Sequence, residues 1–278
     1  MSGSALERPQ ALFGTRLAHV TARREAGPYV ALTALDRGGP EPIAGQFYML
    51  RTPERWGGGE DGRPYLPRAL SFARAVQTAD GVELDFLFEA VGPGTARLSD
   101  VAPGEELVLT GPFGNGFALD AERWPVLVAG GIGLAPIVAL DDELRLLDGV
   151  RSTAFVGMRS AEHASAAGLY ELDHSLATDD GSSGHHGFVT ELLAGHLDEQ
   201  PESTVYACGP PGMLESVRAL CEARDVPSQL ALESGMACGF GACFGCVVPT
   251  KSGYLRLCVD GPVLAGDVLD TAITPGPH

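Results

Sequence analysis

Pro125-Val-Leu-Val-Ala-Gly130-Gly131-Ile-Gly133-Leu-Ala-Pro136-Ile137 runs from an apolar segment through a glycine turn into a helical pattern. Near-continuous apolar character is what a strand covered on both faces shows. Pro136 is tolerated in the first turn of a helix, which is expected to continue to about Leu147. A second strand is expected at 152–157. A third, at 204–208, runs into Gly209-Pro210-Pro-Gly212-Met213 and a helix over 214–223. Strands alternating with helices predict a doubly wound parallel sheet, whose ligands bind at the carboxyl ends of the strands. Gly130-Gly131-Ile-Gly133 departs from the G-x-G-x-x-G fingerprint and alone reads as a tight strand–helix turn. Its pairing with Cys208-Gly209-Pro210 favours a nicotinamide cofactor held by Gly130, Gly131, Gly133, Gly209 and Pro210. Arg159 follows the second strand, where a dinucleotide ribose would lie. It suits either a 2′-phosphate or stacking on adenine, so NAD and NADP both stay open.

Upstream the pattern changes. Segments 15–22, 29–34, 46–51, 70–75 and 84–88 are rich in β-branched, aromatic and alternating residues, with turn signals such as Gly27-Pro28 and Gly38-Gly39-Pro40 between them. They predict a small antiparallel barrel, with a further strand within 102–117. Arg55-Trp56-Gly-Gly-Gly-Glu-Asp-Gly62 reads as a mobile loop. Arg68-Ala69-Leu70-Ser71 sets a fixed positive charge and a hydroxyl near one ligand. The guanidinium suits a pyrophosphate and the hydroxyl a flavin ring edge. Gly92-Pro93-Gly94-Thr95 reads as a glycine turn opening a helix, with N–H groups available to phosphate. Each motif alone is as easily an ordinary strand or turn.

Downstream, Cys238, Cys243 and Cys246 are spaced C-x4-C-x2-C, and Cys258 follows. Four thiolates in this order are the plant-type 2Fe–2S pattern. The alternative is a zinc-stabilised binding module, but structural zinc sites favour two C-x2–4-C pairs. The adjacent His185 and His186 lack helical ligand spacing and read as part of a solvated loop.

The chain has 278 residues and a formal charge of −17, which argues against nucleic acid as a partner. No apolar run is long enough to span a bilayer, and Met1 to Gln10 shows no signal-peptide core. With six cysteines, four of them clustered, a cytoplasmic, reducing compartment is the default expectation.

Taken in order, Arg68-x-x-Ser71, Gly92-Pro-Gly94-Thr95, Gly130-Gly-Ile-Gly133 and Cys208-Gly-Pro-Pro-Gly212 resemble the ferredoxin–NADP reductase superfamily. Gly111-Pro-Phe-Gly-Asn-Gly-Phe117, the Asp180-Gly-Ser loop, Glu233-Ser-Gly-Met236-Ala-Cys238 and Cys258-Val-Asp-Gly-Pro262 narrow this. They resemble the electron transfer subunits of class 1B dihydroorotate dehydrogenase, from about Phe13 to Leu269. The resemblance implies an FAD-binding β-barrel (1–118), an NAD-binding α/β domain (119–226) and a 2Fe–2S module (227–278). It implies a partner, an FMN-containing catalytic subunit that oxidises dihydroorotate, in a heterotetramer with two of each subunit. Electrons would pass through the cluster and FAD to NAD+, in pyrimidine synthesis. It places Arg68 on the FAD diphosphate and Ala69, Leu70 and Ser71 along the flavin. Phe88 and Glu89 would line the ring, Gly94 and Thr95 would lie on phosphate, and Cys208 and Glu233 would face the nicotinamide. Ser71, Cys208 and Glu233 are the implied catalytic set. The sequence departs from the superfamily's usual Arg-x-Tyr-Ser flavin motif, and from the family's own Pro-Ile-Ser-Ile after Arg, at Arg68-Ala-Leu-Ser71-Phe72: Leu70 supplies neither the hydroxyl nor the ring of the usual tyrosine. A diaphorase-type subunit serving a hydrogenase, ferredoxin or oxygenase is the related alternative.

Overall fold

The computed structural model describes residues 14–58, 62–120 and 122–274. Phe13, the stretch from Met1 to Gln10 and the middle of the glycine-rich insert lie outside the described residues.

Strands β1 (Arg16–Ala26), β2 (Tyr29–Asp36), β3 (Phe47–Arg51), β4 (Arg68–Ser71), β5 (Arg74–Thr78), β6 (Gly81–Glu89) and β7 (Glu106–Phe113) form one antiparallel sheet. Helix α1 (Pro93–Ser99) lies between the last two. The sheet order is β4-β3-β7-β1-β2-β6-β5. Its two edge strands are joined by Phe72 and Ala73 alone, so the sheet is rolled into a barrel and its edges meet. A single strand over 70–75 was the expectation. Instead Phe72 and Ala73 are buried, and the Ala73 N–H donates to the Asp85 carbonyl at 2.7 Å, which hands the chain from β3 to β6. The barrel interior is filled by Tyr48, with Phe86 and Phe72 edge-on to it at 5.6 and 6.5 Å between ring centroids.

The second sheet contains β8 (Trp124–Gly130), β9 (Thr153–Met158), β10 (Ser175–Thr178), β11 (His185–His186), β12 (Ser203–Cys208) and β13 (Ser228–Ala231). Helices α2 (Leu134–Arg145), α3 (Ala161–Ala164), α4 (Val189–Glu199) and α5 (Pro211–Glu222) connect them. After a hairpin of β14 (Val247–Thr250) and β15 (Gly253–Arg256), β16 (Val263–Ala265) returns to pair antiparallel with β13. The order is β11-β10-β9-β8-β12-β13-β16, parallel except at that last pair. Every residue of β12 is buried, as a strand covered on both faces requires.

β8 and β12 are neighbours, with Cys208 opposite Ala129, so their glycine turns lie side by side. Gly133 has a packing reason: a Cβ there would stand 2.2 Å from the Cys208 carbonyl oxygen. Two polar contacts hold α2 to the barrel. Arg74 Nε meets Asp142 Oδ2 at 3.1 Å, and the Ala44 N–H donates to Glu143 Oε1 at 2.6 Å.

Gly133→Ala is expected to force the two turns apart. It should lower the urea midpoint by the equivalent of about 1–3 kcal/mol, the usual cost of overpacking, with an unchanged m-value. A midpoint equal to the wild type's would show that the turns do not pack as described.

Candidate redox site

A cleft separates the barrel from the second sheet. Phe47, Ala69, Leu70, Ser71 and Leu87 line it from the barrel. Ile132, Ala135 and Pro136 at the start of α2, with Leu232, Glu233, Ser234 and Met236 after β13 and Pro262 before β16, line it from the second sheet. Ser71 from the barrel and Glu233 from the segment after β13 thus line the same, mostly apolar cleft. Ser234 Oγ is buried there with no partner among the described residues.

Glu233 opens to the cleft, and its side chain is exposed by area, yet protein surrounds the carboxyl on its remaining sides. The enclosure decides its chemistry. Loss of hydration raises its carboxyl to about 7. Its backbone carbonyl accepts a hydrogen bond from Thr274 Oγ1 at 2.5 Å, which pins the residue in place. Cys208 lies behind it, buried. Burial and then the Glu233 charge push its thiol well above the ordinary range, so it stays protonated.

Arg68 lies at the other end of β4. A Cβ on Gly94 would be 2.3 Å from Arg68 Nε, so the absence of a side chain at Gly94 is what lets the guanidinium lie against α1. Desolvation lowers the Arg68 pKa. Thr95 Oγ1 accepts from the Gly92 N–H at 3.2 Å. The fold thus brings together Arg68, Gly94 and Thr95, although α1 is a helix of only seven residues. Phe88 points into the barrel core, and its neighbour Leu87 reaches the cleft. Glu89 holds Arg159 Nη2 at 3.0 Å across the domain junction, an exposed pair that contributes little stability. Gly130 and Gly209 pack against Met213, beside Pro210. His185, expected in a solvated loop, lies in the short edge strand β11, where its Nε2 donates to the Glu191 carboxylate of α4 at 2.7 Å.

All six cysteines are free thiols. Four lie on or beside the excursion from β13 to β16, and their sulfurs form two pairs. Cys246 and Cys258 are 3.2 Å apart and buried, while Cys238 and the exposed Cys243 are within hydrogen-bonding range. Backbone N–H groups aim at them: Gly241 at Cys258 (3.1 Å), Cys258 at Cys246 (3.4 Å) and Gly245 at Cys243 (3.4 Å). Burial raises the Cys238 thiol, but N–H donors of Cys243, Phe240 and Ala242 outweigh this and bring it down to about 6. Burial, and then Cys246, drive Cys258 up to about 12.

Two thiolates on one tetrahedral iron stand roughly 3.7 Å apart if metal–sulfur bonds are about 2.3 Å. Two sulfur pairs with inward N–H donors therefore fit a two-iron cluster. Gly239 packs on Met49 of β3, which seats the cysteine loop against the barrel. Phe240 and Phe244 are exposed beside Cys243, and Arg256 stacks 5.3 Å from the Phe244 ring centroid.

Phe47 and Leu87 carry no motif in the sequence and enter the cleft through tertiary packing. Ile132, Ser234, Met236 and Pro262 lie inside motifs quoted from the sequence, but those motifs gave them no role of their own.

No helix among the described residues is long and apolar enough to cross a membrane. Residues 233–270 match the iron–sulfur cluster binding domain of dihydroorotate dehydrogenase B, and residues 127–219 match an oxidoreductase NAD-binding domain. The chain is 37% identical over 227 residues to the dihydroorotate dehydrogenase B (NAD(+)) electron transfer subunit of Clostridium acetobutylicum, covering 81% of this chain and 85% of that one. A probable counterpart in Methanopyrus kandleri is 35% identical over 229 residues, covering 81% and 80%. In fold, the chain is similar to NADH-dependent reduced ferredoxin-NADP oxidoreductase (TM-score 0.77, 24% identity, covering 93% of this chain and 91% of that one). It is also similar to phthalate dioxygenase reductase (TM-score 0.59, 18% identity, covering 88% and 94%). The sulfur pairs, the cleft and the paired glycine turns thus sit in a chain that belongs to the family of dihydroorotate dehydrogenase B (NAD(+)) electron transfer subunits.

Proposed function

We propose that this chain carries electrons between a dihydroorotate-oxidising, FMN-containing subunit and NAD+, as one of two copies in a heterotetramer. One observation carries the reading. Glu233 and Met236 of the cleft wall lead directly into Cys238, so cleft and thiol cage share one short loop. The functional division follows the chain: FAD on residues 1–118, the nicotinamide cofactor on 119–226 and the cluster on 227–278.

Bound FAD supplies the chemistry that joins two-electron hydride transfer to one-electron transfer at a 2Fe–2S cluster. The residues do the rest. Arg68 opposes diphosphate charge, with Gly94 and Thr95 alongside. Ala69, Leu70 and Ser71 present a flat wall and one hydroxyl to the flavin edge, with the Phe88–Glu89 backbone beyond. The turns at Gly130, Gly131 and Gly133 and at Gly209 and Pro210 seat the nicotinamide dinucleotide, with Arg159 toward its ribose. Cys208 stays neutral and gives that ring a soft surface. Glu233, titrating near neutrality, holds a proton at the carboxyl beside the reacting ring. Cys238, Cys243, Cys246 and Cys258 ligate the cluster, and their N–H donors stabilise sulfur charge. The exposed Phe240 and Phe244 mark the face turned to the partner.

The direct test combines the purified chain with a dihydroorotate-oxidising FMN subunit. Dihydroorotate should then reduce NAD+. If the mixture fails while the chain alone still oxidises NADH with an artificial acceptor, its partner is of another kind.

Cys258→Ser should remove most of the iron and the cluster's visible absorbance while leaving one flavin per chain. Full iron content in that variant would exclude Cys258 as a ligand. Glu233 gives a pH signature. Its folded-state pKa is raised from about 4.5 to about 7, so the folded state binds the extra proton. Its contribution to stability is therefore greatest in acid and is lost as pH rises from about 4.5 to about 7. Glu233→Gln should abolish that decline, so the gap between variant and wild-type melting temperatures should widen toward pH 7 and then level off. A gap independent of pH would mean that the carboxyl is not enclosed as described.

A further inference from the structure

Arg256 ends β15, two residues before Cys258, and nothing in the cysteine spacing calls for it. Its side chain turns back over the loop that carries the other cysteines. Nη1 donates to the Gly241 carbonyl at 3.2 Å, and the guanidinium lies 5.3 Å from the Phe244 ring centroid. Those two contacts flank Cys243. The Gly241 N–H, on the other side of the same residue, donates to Cys258 Sγ at 3.1 Å. One side chain thus reaches, through a single glycine, a sulfur of the buried pair.

The backbone around this contact is shaped for it. Gly241 has φ +87°, and a Cβ there would stand 2.7 Å from Val259 Cγ2 and 3.2 Å from Arg256 Nη1. The absence of a side chain is what lets the guanidinium lie against this turn. The main chain of Arg256 is held as well. Its N–H donates to Asp260 Oδ2 at 3.0 Å, and its carbonyl accepts from the Val259 and Asp260 N–H groups at 3.0 and 2.8 Å. Cys258 sits inside that turn. Asp260 Oδ2 is 3.8 Å from Arg256 Nε, too far for a hydrogen bond, so the carboxylate does not draw the fork away from Gly241.

This geometry bears on electron transfer. Reduction adds one negative charge to a cluster, and donors aimed at its sulfurs stabilise that charge, so losing one lowers the reduction potential. Arg256 acts on the cysteine loop in two ways. It fixes the residue whose N–H meets the Cys258 sulfur, and it sets a cation beside the same loop.

We propose that Arg256 is a positioning residue for the cluster: by holding the Gly241 carbonyl it keeps the Gly241 N–H on the Cys258 sulfur, and so raises the potential at which the cluster accepts its electron. This deepens the reading above and rests on the four cysteines binding a 2Fe–2S cluster.

The test is an anaerobic redox titration of the full-length chain, with the reduced cluster followed by electron paramagnetic resonance and the flavin by absorbance. It compares the wild type, Arg256→Gln and Arg256→Lys. In Arg256→Gln the equilibrium constant for one-electron reduction of the cluster should fall about tenfold, a midpoint about 59 mV lower. Arg256→Lys gives up the planar fork but keeps a cationic donor for the same carbonyl, and should stay within about threefold of the wild type. The flavin midpoint should not move in either variant. If Arg256→Gln holds too little iron to titrate, Arg256→Lys decides: iron retained within that threefold supports the assignment, and iron lost there too overturns it. An Arg256→Gln midpoint equal to the wild type's would overturn it. So would Arg256→Lys shifted as far as Arg256→Gln, which would trace the effect to lost packing on Phe244, or an equal shift of flavin and cluster. A wild-type chain that binds no iron would instead contradict the cluster reading itself, and the role of Arg256 with it.

Discussion

The antiparallel pairing of β16 with β13 fixes both ends of the cysteine-bearing excursion. Gln229 opposes Ala265, Leu230 opposes Leu264, and Ala231 opposes Val263. Residues 232–262 therefore leave the nucleotide-binding sheet and return to it within one strand width, and the Leu232 N–H closes the neck on the Pro262 carbonyl at 2.9 Å. Anchoring both ends lowers the entropy the loop would otherwise lose on ordering its thiols. The barrel grips the same neck. The Asn115 N–H donates to the Gly261 carbonyl at 2.5 Å and its Nδ2 to the Asp260 carbonyl at 2.9 Å. One pairing thus sets the cluster loop, the cleft wall and the barrel in a fixed relation.

That relation explains why the cleft has two chemically different walls. The barrel wall contributes strand backbone, Ser71 and apolar rings. The opposite wall contributes the single carboxyl that burial has moved toward neutrality. Charge is distributed with similar economy. The chain is strongly acidic, yet Arg55, Arg63, Arg68 and Arg97 lie around α1.

Local signals made much of this legible in the sequence. The cysteine spacing is set by cluster chemistry, and the glycine turns after β8 and β12 are set by close backbone approach, so both are written in consecutive residues. The parts that escaped are set by distant partners. β13 and β16 have four and three residues, too few to show a period. The alternation across 70–75 continues through Phe72 and Ala73, although the chain changes partner strand there. Trp56 lies in a glycine-rich stretch that reads as solvent-exposed, and only the folded barrel shows the Arg68 guanidinium beneath its ring. Ser234 sits inside the Glu233-Ser-Gly-Met236 stretch, but only the fold shows its hydroxyl buried beside the cleft.

The central claim is that one chain holds a flavin and a cluster in electronic contact through the loop that starts at Glu233. The measurement closest to it is an anaerobic titration of the isolated full-length chain with NADH, following flavin absorbance and the electron paramagnetic resonance of the reduced cluster together. Both signals are predicted to change from the first additions, reaching full reduction near three electrons per chain, two for the flavin and about one for the cluster. A flavin that is fully reduced while the cluster stays oxidised would contradict the account.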